Sequence, residues 1–206
     1  MPDLLTAAQL AALAPDCDAE VWAPALSSAA AEREINTPLR LAHWLGQLCE
    51  ESAGFVHLTE NLSYSAERLC QVWPGRFPTL ASAEPFAHNP DALAVRVYSG
   101  RMGNVTSDDA GKFIGRGPMM ITGRAAYRMY GAALGLPLTK HPELAAQPVP
   151  GARIAALYWS DHGLNARADA DDIEGITRAI NGGLTGLPER KAAVARAKGI
   201  FGIRAA

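Results

Sequence analysis

Apolar residues recur at steps of three and four through most of this chain, and the stretches between them are polar or rich in Gly and Pro. Residues 38–52 show the pattern most plainly. Leu41, Trp44 and Leu48 share one helical face with Leu45 beside them, Thr37 precedes the run as a cap, and Pro38 takes the first helical position. The same reading predicts helices over Ala7–Leu13, capped by Thr6 and ended near Pro15, and over Ala19–Glu34. A short one follows from Ser65 through Trp73, with Glu67 in its first turn. Asn89-Pro90-Asp91 opens a helix running to about Tyr98. Residues 100–112 lose the apolar period and read as a loop, and Phe113–Thr122 reads as a short extended segment. Thr122 is expected to cap a helix to Leu134, ended by Gly135 and Pro137. Later helices are expected over 151–161, 171–180 and 188–201. The predicted fold class is mainly α. With no internal repeat and no low-complexity linker, residues 1–206 read as a single domain without an appended module.

At 206 residues the chain buries a full core without a metal or disulfide staple, so no cofactor or metal is expected. Cys17, Cys49 and Cys70 are widely spaced and odd in number, which fits synthesis in a reducing compartment. The N-terminus has Asp3 where a signal peptide would carry its basic region, and no apolar run approaches a membrane span. The expectation is a monomer made in the cytoplasm, with no stable membrane insertion. The five histidines are scattered without ligand spacing, and no basic run is interleaved with aromatics, so metal and nucleic-acid partners are not expected. Charge is uneven despite a net −2: residues 1–60 are mostly acidic and residues 96–128 mostly basic. That split reads as a mixed solvated surface, or as a basic wall suited to an anionic polymer.

Two carboxylates offer the best candidate chemistry. Steps of three and four carry the apolar face from Leu41 through Trp44 and Leu48 to Glu51, whereas Glu50 follows His43 and Gln47 on the more polar side. Glu51 therefore ends the buried stripe, where partial desolvation favours a protonated general acid. Glu60 lies nine residues on, past a Gly break, in the polar stretch Thr59-Glu60-Asn61-Leu62-Ser63-Tyr64. Such surroundings suit an ionised base. Glu67 is the rival second carboxylate, but helix capping accounts for it.

Four segments resemble glycoside hydrolase family 19, which contains chitinases and chitinase-like phage endolysins. Gln47-Leu-Cys-Glu-Glu51-Ser-Ala-Gly-Phe55 is similar to that family's Gln-x-x-His-Glu-Ser-Gly-Gly-Phe signature, and Glu60–Ser65 to the Glu-Asn-Leu-Asn-Tyr-Ser stretch of the endolysin branch. Gly115–Arg124 resembles its Gly-Arg-Gly-x-x-Gln-Leu-Thr-Gly-Arg block, and Ile180–Gly183 its Ile-Asn-Gly-Gly segment. The four occur in order over roughly residues 5–201.

The resemblance implies a lysozyme-like, two-lobed helical domain with a central substrate cleft, and inverting hydrolysis of β-1,4 bonds next to N-acetylated sugars. It implies Glu51 as general acid, Glu60 as general base, and Thr122 as a hydroxyl that helps hold the water. Asn181 and Arg190 match positions lining the cleft and supporting the catalytic network, and Tyr64, Arg116 and Arg124 are candidates for substrate contact. Three residues depart from the signatures. Glu50 replaces a His and adds a negative charge beside the acid, Ala53 replaces a Gly, and Met120 replaces a Gln that would hydrogen-bond sugar. The expected partner is the glycan strand of peptidoglycan, reached through a separate pore-forming protein and cut for cell lysis. Chitin oligomers are the alternative substrate, and a glycan-binding or antibacterial effector role is the alternative function.

Overall fold

The computed structural model describes residues 4–203, so Asp3 of the acidic N-terminal group lies outside it. Twelve α-helices occur among the described residues. They are α1 (Ala7–Leu13), α2 (Ala19–Glu32), α3 (Pro38–Ser52), α4 (Ala66–Val72), α5 (Leu80–Ala83) and α6 (Pro90–Tyr98), then α7 (Ser107–Lys112), α8 (Arg124–Leu134), α9 (Pro148–Asp161), α10 (Leu164–Asp169), α11 (Ile173–Asn181) and α12 (Leu187–Ile200). Strand pairing among them is limited to two isolated bridges, Thr59 with Arg116 and Arg116 with Ile121. The fold is mainly α, as the sequence pattern predicts.

The chain divides into two compact units. Among the described residues, one comprises 4–58, 117–120 and 143–203. Its core gathers Leu10, Trp22, Leu26, Trp44, Leu45, Leu48, Ala155 and Trp159 around α3. Thr37 caps α3 through its side chain, which accepts from the Arg40 amide, and Pro38 sits in the first turn. From Leu41 to Cys49 every residue of α3 is buried, including His43 and Gln47. The supposed polar side of this helix is therefore a buried polar stripe. α12 lies directly against α3 because Gly46 leaves room: a Cβ there would stand 2.5 Å from Val194 Cγ2 and 2.9 Å from the Val194 amide. α2 stops at Glu32 rather than Glu34 because Glu34 adopts φ 57°, and the Ile35 amide turns back to the Ala30 carbonyl at 2.9 Å. This is a Schellman ending built without glycine.

The other unit comprises residues 59–116 and 121–142. Leu62, Leu69, Phe77, Leu93, Ala94 and Val97 form one hydrophobic cluster within it. Two expectations fail here. The segment 100–112 is not all loop: Thr106 and Asp109 close a reciprocal capping box that starts α7. Thr122 does not cap α8 either, because Gly123, at φ 85°, occupies that position. Short helices α5 and α10 also form where the sequence pattern marked none.

Candidate active site

Glu51 belongs to the first unit, on the last turn of α3. Burial alone does not describe it. The Arg190 Nη2 donates to Glu51 Oε1 at 2.6 Å, and Nη1 of the same guanidinium donates to Gln47 Oε1 at 2.6 Å. Arg190 is itself 4% exposed, on the first turn of α12. Gln47 and Glu51 stand one helical turn apart, so one planar fork grips two successive turns of α3. Asn181, the last residue of α11, donates from Nδ2 to the Thr185 carbonyl at 3.1 Å. Arg190 Nε reaches the same carbonyl at 3.4 Å, so Glu51, Asn181 and Arg190 belong to one network.

Glu50 turns elsewhere. A Cβ on Gly186 would meet Glu50 Oε1 at 2.9 Å and Arg190 Nε at 3.6 Å, so Glu50 lies beside the turn that precedes α12. It also lines a recess with Leu13, Asp16, Cys49, Glu189 and Arg196. Cys49 is a buried thiol pushed up to about 12 by burial, which removes it as a nucleophile.

After Ser52 the chain makes three consecutive left-handed residues, Ala53, Gly54 and Phe55, at φ 48°, 68° and 66°. Ser52 Oγ holds this turn: it donates to the Leu48 carbonyl at 2.6 Å and accepts from the Phe55 amide at 2.8 Å. Phe55 is thereby buried against Trp22, with ring centroids 5.3 Å apart.

Glu60 belongs to the second unit, and both its oxygens are held. Tyr98 donates its phenol to Oε1 at 2.5 Å, and the Gly115 amide donates to Oε2 at 3.0 Å. The Glu60 amide in turn donates to the Gly115 carbonyl at 2.8 Å. Gly115 also brings in Thr122: a Cβ on it would lie 3.3 Å from Thr122 Oγ1 and 3.4 Å from Glu60 Oε2. Burial, then the bond to Glu60, raises the Tyr98 phenol well above the usual tyrosine range, so it stays a donor. Glu67, the rival carboxylate, is fully exposed at the start of α4, and its own backbone amide, then Ser65, lowers its pKa.

The remaining candidates differ in placement. Tyr64 packs edge-on against Trp73 at 5.5 Å. Arg116 spends Nη1 on the Lys112 carbonyl at 2.7 Å and the Tyr127 hydroxyl at 3.1 Å, which makes it a brace of the unit. Arg124 is half-exposed, 3.9 Å from Asp109, in a shallow recess with Gly103, Val105 and Arg128. Sequence reading passed over Tyr98 and assigned no role to Gln47. Tyr98 carried no signal beyond closing a helix, whereas Gln47 stood one turn before Glu51.

Over 154 residues the chain is 34% identical to a glycosyl hydrolase family 19 domain-containing protein of Haemophilus influenzae, which takes in 74% of this chain and 75% of that one. The chain belongs to glycoside hydrolase family 19. No protein-family model matches it. Among solved structures, this family 19 hydrolase is similar to chitinase C of Streptomyces griseus, with TM-score 0.70 and 17% identity over 98% of this chain and 78% of that one. It is similar also to a bacterial family 19 chitinase (TM-score 0.68, 18% identity, 98% and 96% covered) and to a class IV chitinase of Zea mays (0.62, 13%, 98% and 94%). At these identities the likeness is one of fold. Against the family signatures, Ala53 and Met120 both take positive φ, at 48° and 47°. The Ala53 departure is thus a strained one.

Proposed function

We propose that this hydrolase cleaves β-1,4 bonds in the glycan strands of bacterial peptidoglycan by an inverting mechanism, and that it acts on the wall for cell lysis. In that mechanism Glu51 gives its proton to the leaving glycosidic oxygen as the bond to the anomeric carbon breaks. A water attacks that carbon from the opposite face and passes its proton to Glu60. Inversion requires the two carboxyl groups to stand about 6.5–9.5 Å apart. Thr122 helps hold the water, Arg190 and Asn181 keep the acid in place, and Tyr64 and Arg124 contact sugar. The observation that carries the reading is that each carboxylate sits in a hydrogen-bonded frame within a family 19 chain: Glu51 on a buried guanidinium, Glu60 on a phenol and an amide. Preference for peptidoglycan rests on the Glu60-Asn61-Leu62-Ser63-Tyr64-Ser65 segment and its likeness to the endolysin branch. The protein would be made in the cytoplasm, act as a monomer and reach the wall through a separate pore.

Chitin is the second reading, because the solved relatives in fold are named chitinases. Wild type, Glu51→Gln and Glu60→Gln incubated with purified sacculi and with N-acetylglucosamine hexamer would separate the two. The expected result is reducing ends from sacculi with wild type alone, and a loss of about 10²–10⁴-fold in each variant. Cleavage of the hexamer only would replace the substrate, and an active Glu51→Gln would replace the acid. A fresh product of unchanged anomeric form would overturn inversion.

A further inference from the structure

Tyr98 closes α6, whose Leu93, Ala94 and Val97 are buried in the second unit's core. Its backbone is latched as firmly as its side chain. The Tyr98 carbonyl accepts from Asn104 Nδ2 at 3.0 Å and from the Arg101 amide at 3.3 Å. Asn104 is 4% exposed, and its Oδ1 accepts from the Arg124 amide at 2.9 Å. One buried amide side chain thus joins the end of α6 to the start of α8, just beyond Thr122.

From that anchored position we infer that Tyr98 is a positioning residue for the general base, its phenol orienting the Glu60 carboxylate toward the attacking water. The inference rests on the reading of Glu60 as base. The two donors fall on different oxygens, Tyr98 on Oε1 and Gly115 on Oε2, and together they set the rotation of the carboxyl plane. Each oxygen keeps a further lone pair for the water's proton. Tyr127, for comparison, donates its phenol proton to the main chain, at the Ile114 carbonyl 2.7 Å away. Tyr98 instead gives its proton to a carboxylate, the stronger, charge-assisted bond. Positioning within about half an ångström separates a productive base from an idle one, so loss of this bond should fall on turnover rather than on substrate affinity.

The test compares wild type, Tyr98→Phe, Glu60→Gln and the double variant, on whichever of sacculus glycan strands or N-acetylglucosamine hexamer wild type cleaves. Phenylalanine keeps the ring and removes only the hydroxyl. The expected result for Tyr98→Phe is a fall of about 10–100-fold in kcat with KM within about twofold. The double variant should be no slower than Glu60→Gln alone, because the phenol then has no carboxylate to orient. In wild type a strongly downfield hydroxyl proton should be visible by NMR, and its absence there would overturn the bond whatever the variants do to folding. Tyr98→Phe at wild-type kcat beside an inactive Glu60→Gln would overturn the positioning role and leave the base standing. An active Glu60→Gln would overturn the base and this inference with it. A Tyr98→Phe defect confined to KM would overturn positioning in favour of substrate contact.

Discussion

Arg190 is a buried cation on which two side chains of α3 depend. Replacing it with alanine leaves the Glu51 carboxylate and the Gln47 amide in a largely dry setting with no donor. Removing one partner of such a pair costs more than the pair is worth, because the stranded carboxylate, 21% exposed, is only partly rehydrated. Arg190→Ala should therefore lower the unfolding free energy by about 3 kcal/mol, measured by urea titration. Arg190→Lys should recover only part, since an ammonium lacks the planar fork that reaches both oxygens at once. Ala53 offers the opposite case. Its left-handed φ of 48° costs a Cβ-bearing residue about 1–2 kcal/mol, and glycine forfeits some of that gain through its freer unfolded chain. Ala53→Gly should raise stability by about 0.5–1 kcal/mol without loss of activity. Sequence periodicity set Glu51 apart from Glu50 as the end of a buried stripe, yet α3 is buried on all sides from Leu41 to Cys49 and both glutamates are only partly buried, so what distinguishes Glu51 is its bond to Arg190. Its partner Arg190 lies 139 residues away, and Tyr98 lies 38 from Glu60. No local rule carries such pairings, so Glu60 was legible through motif resemblance and its phenol was not.

At the scale of elements, α3 and α12 owe their closeness to one absent methyl. The nearest atoms to a Cβ at Gly46 include the Val194 amide nitrogen at 2.9 Å, which cannot rotate aside as a side-chain tip could. Gly46→Ala must therefore push the helices apart. The expected cost is about 1–3 kcal/mol despite alanine's better helix propensity. Because Arg190 rides on α12 and Glu51 on α3, the same shift should lower turnover as well, which parallel denaturation and rate measurements would check. A variant with unchanged stability would show that the interface has slack. Long helices were legible in the sequence, α3 to the residue, although α9 begins at Pro148 rather than at 151. The misses have separable causes. α7 hid because Gly, Asn and Asp dominate residues 100–112, and the Thr106–Asp109 box outweighed that composition. The cap of α8 slipped by one residue because Gly123 at φ 85° breaks the turn before Thr122 can close it. α5 and α10, at four and six residues, are too short to show a period.

For the molecule as a whole, the buried polar stripe of α3 makes stability depend on acid. His43 is fully buried, with Nε2 2.7 Å from Asp171 Oδ1, while Nδ1 is buried with no partner. Neutral imidazole fits this setting, its single proton on Nε2 facing the carboxylate. A second proton would sit on Nδ1 with nothing to receive it. Burial accordingly lowers His43 below its ordinary 6.5, outweighing the opposite pull of Asp171. Lys198 joins the cluster through two bonds of 2.6 Å to Asp171. Burial works against the Asp171 charge, but Lys198 and His43 outweigh it and hold the carboxyl below its ordinary 3.8. The two shifts act in the same direction. Between the folded value of His43 and 6.5 the unfolded chain binds more protons, so unfolding free energy climbs with pH and levels off above about 6.5. The Asp171 contribution is fully present above 3.8 and is lost as pH falls through its lower folded value. The cluster ties α3 to α12 through Asp171, in the turn between α10 and α11, so acid weakens the frame that carries Arg190. Urea titrations between pH 5 and 8 should show the wild type losing stability below about pH 6.5. That slope should flatten in His43→Gln, whose amide cannot take up the proton. A His43→Gln slope equal to the wild type's would assign the acid sensitivity to other groups.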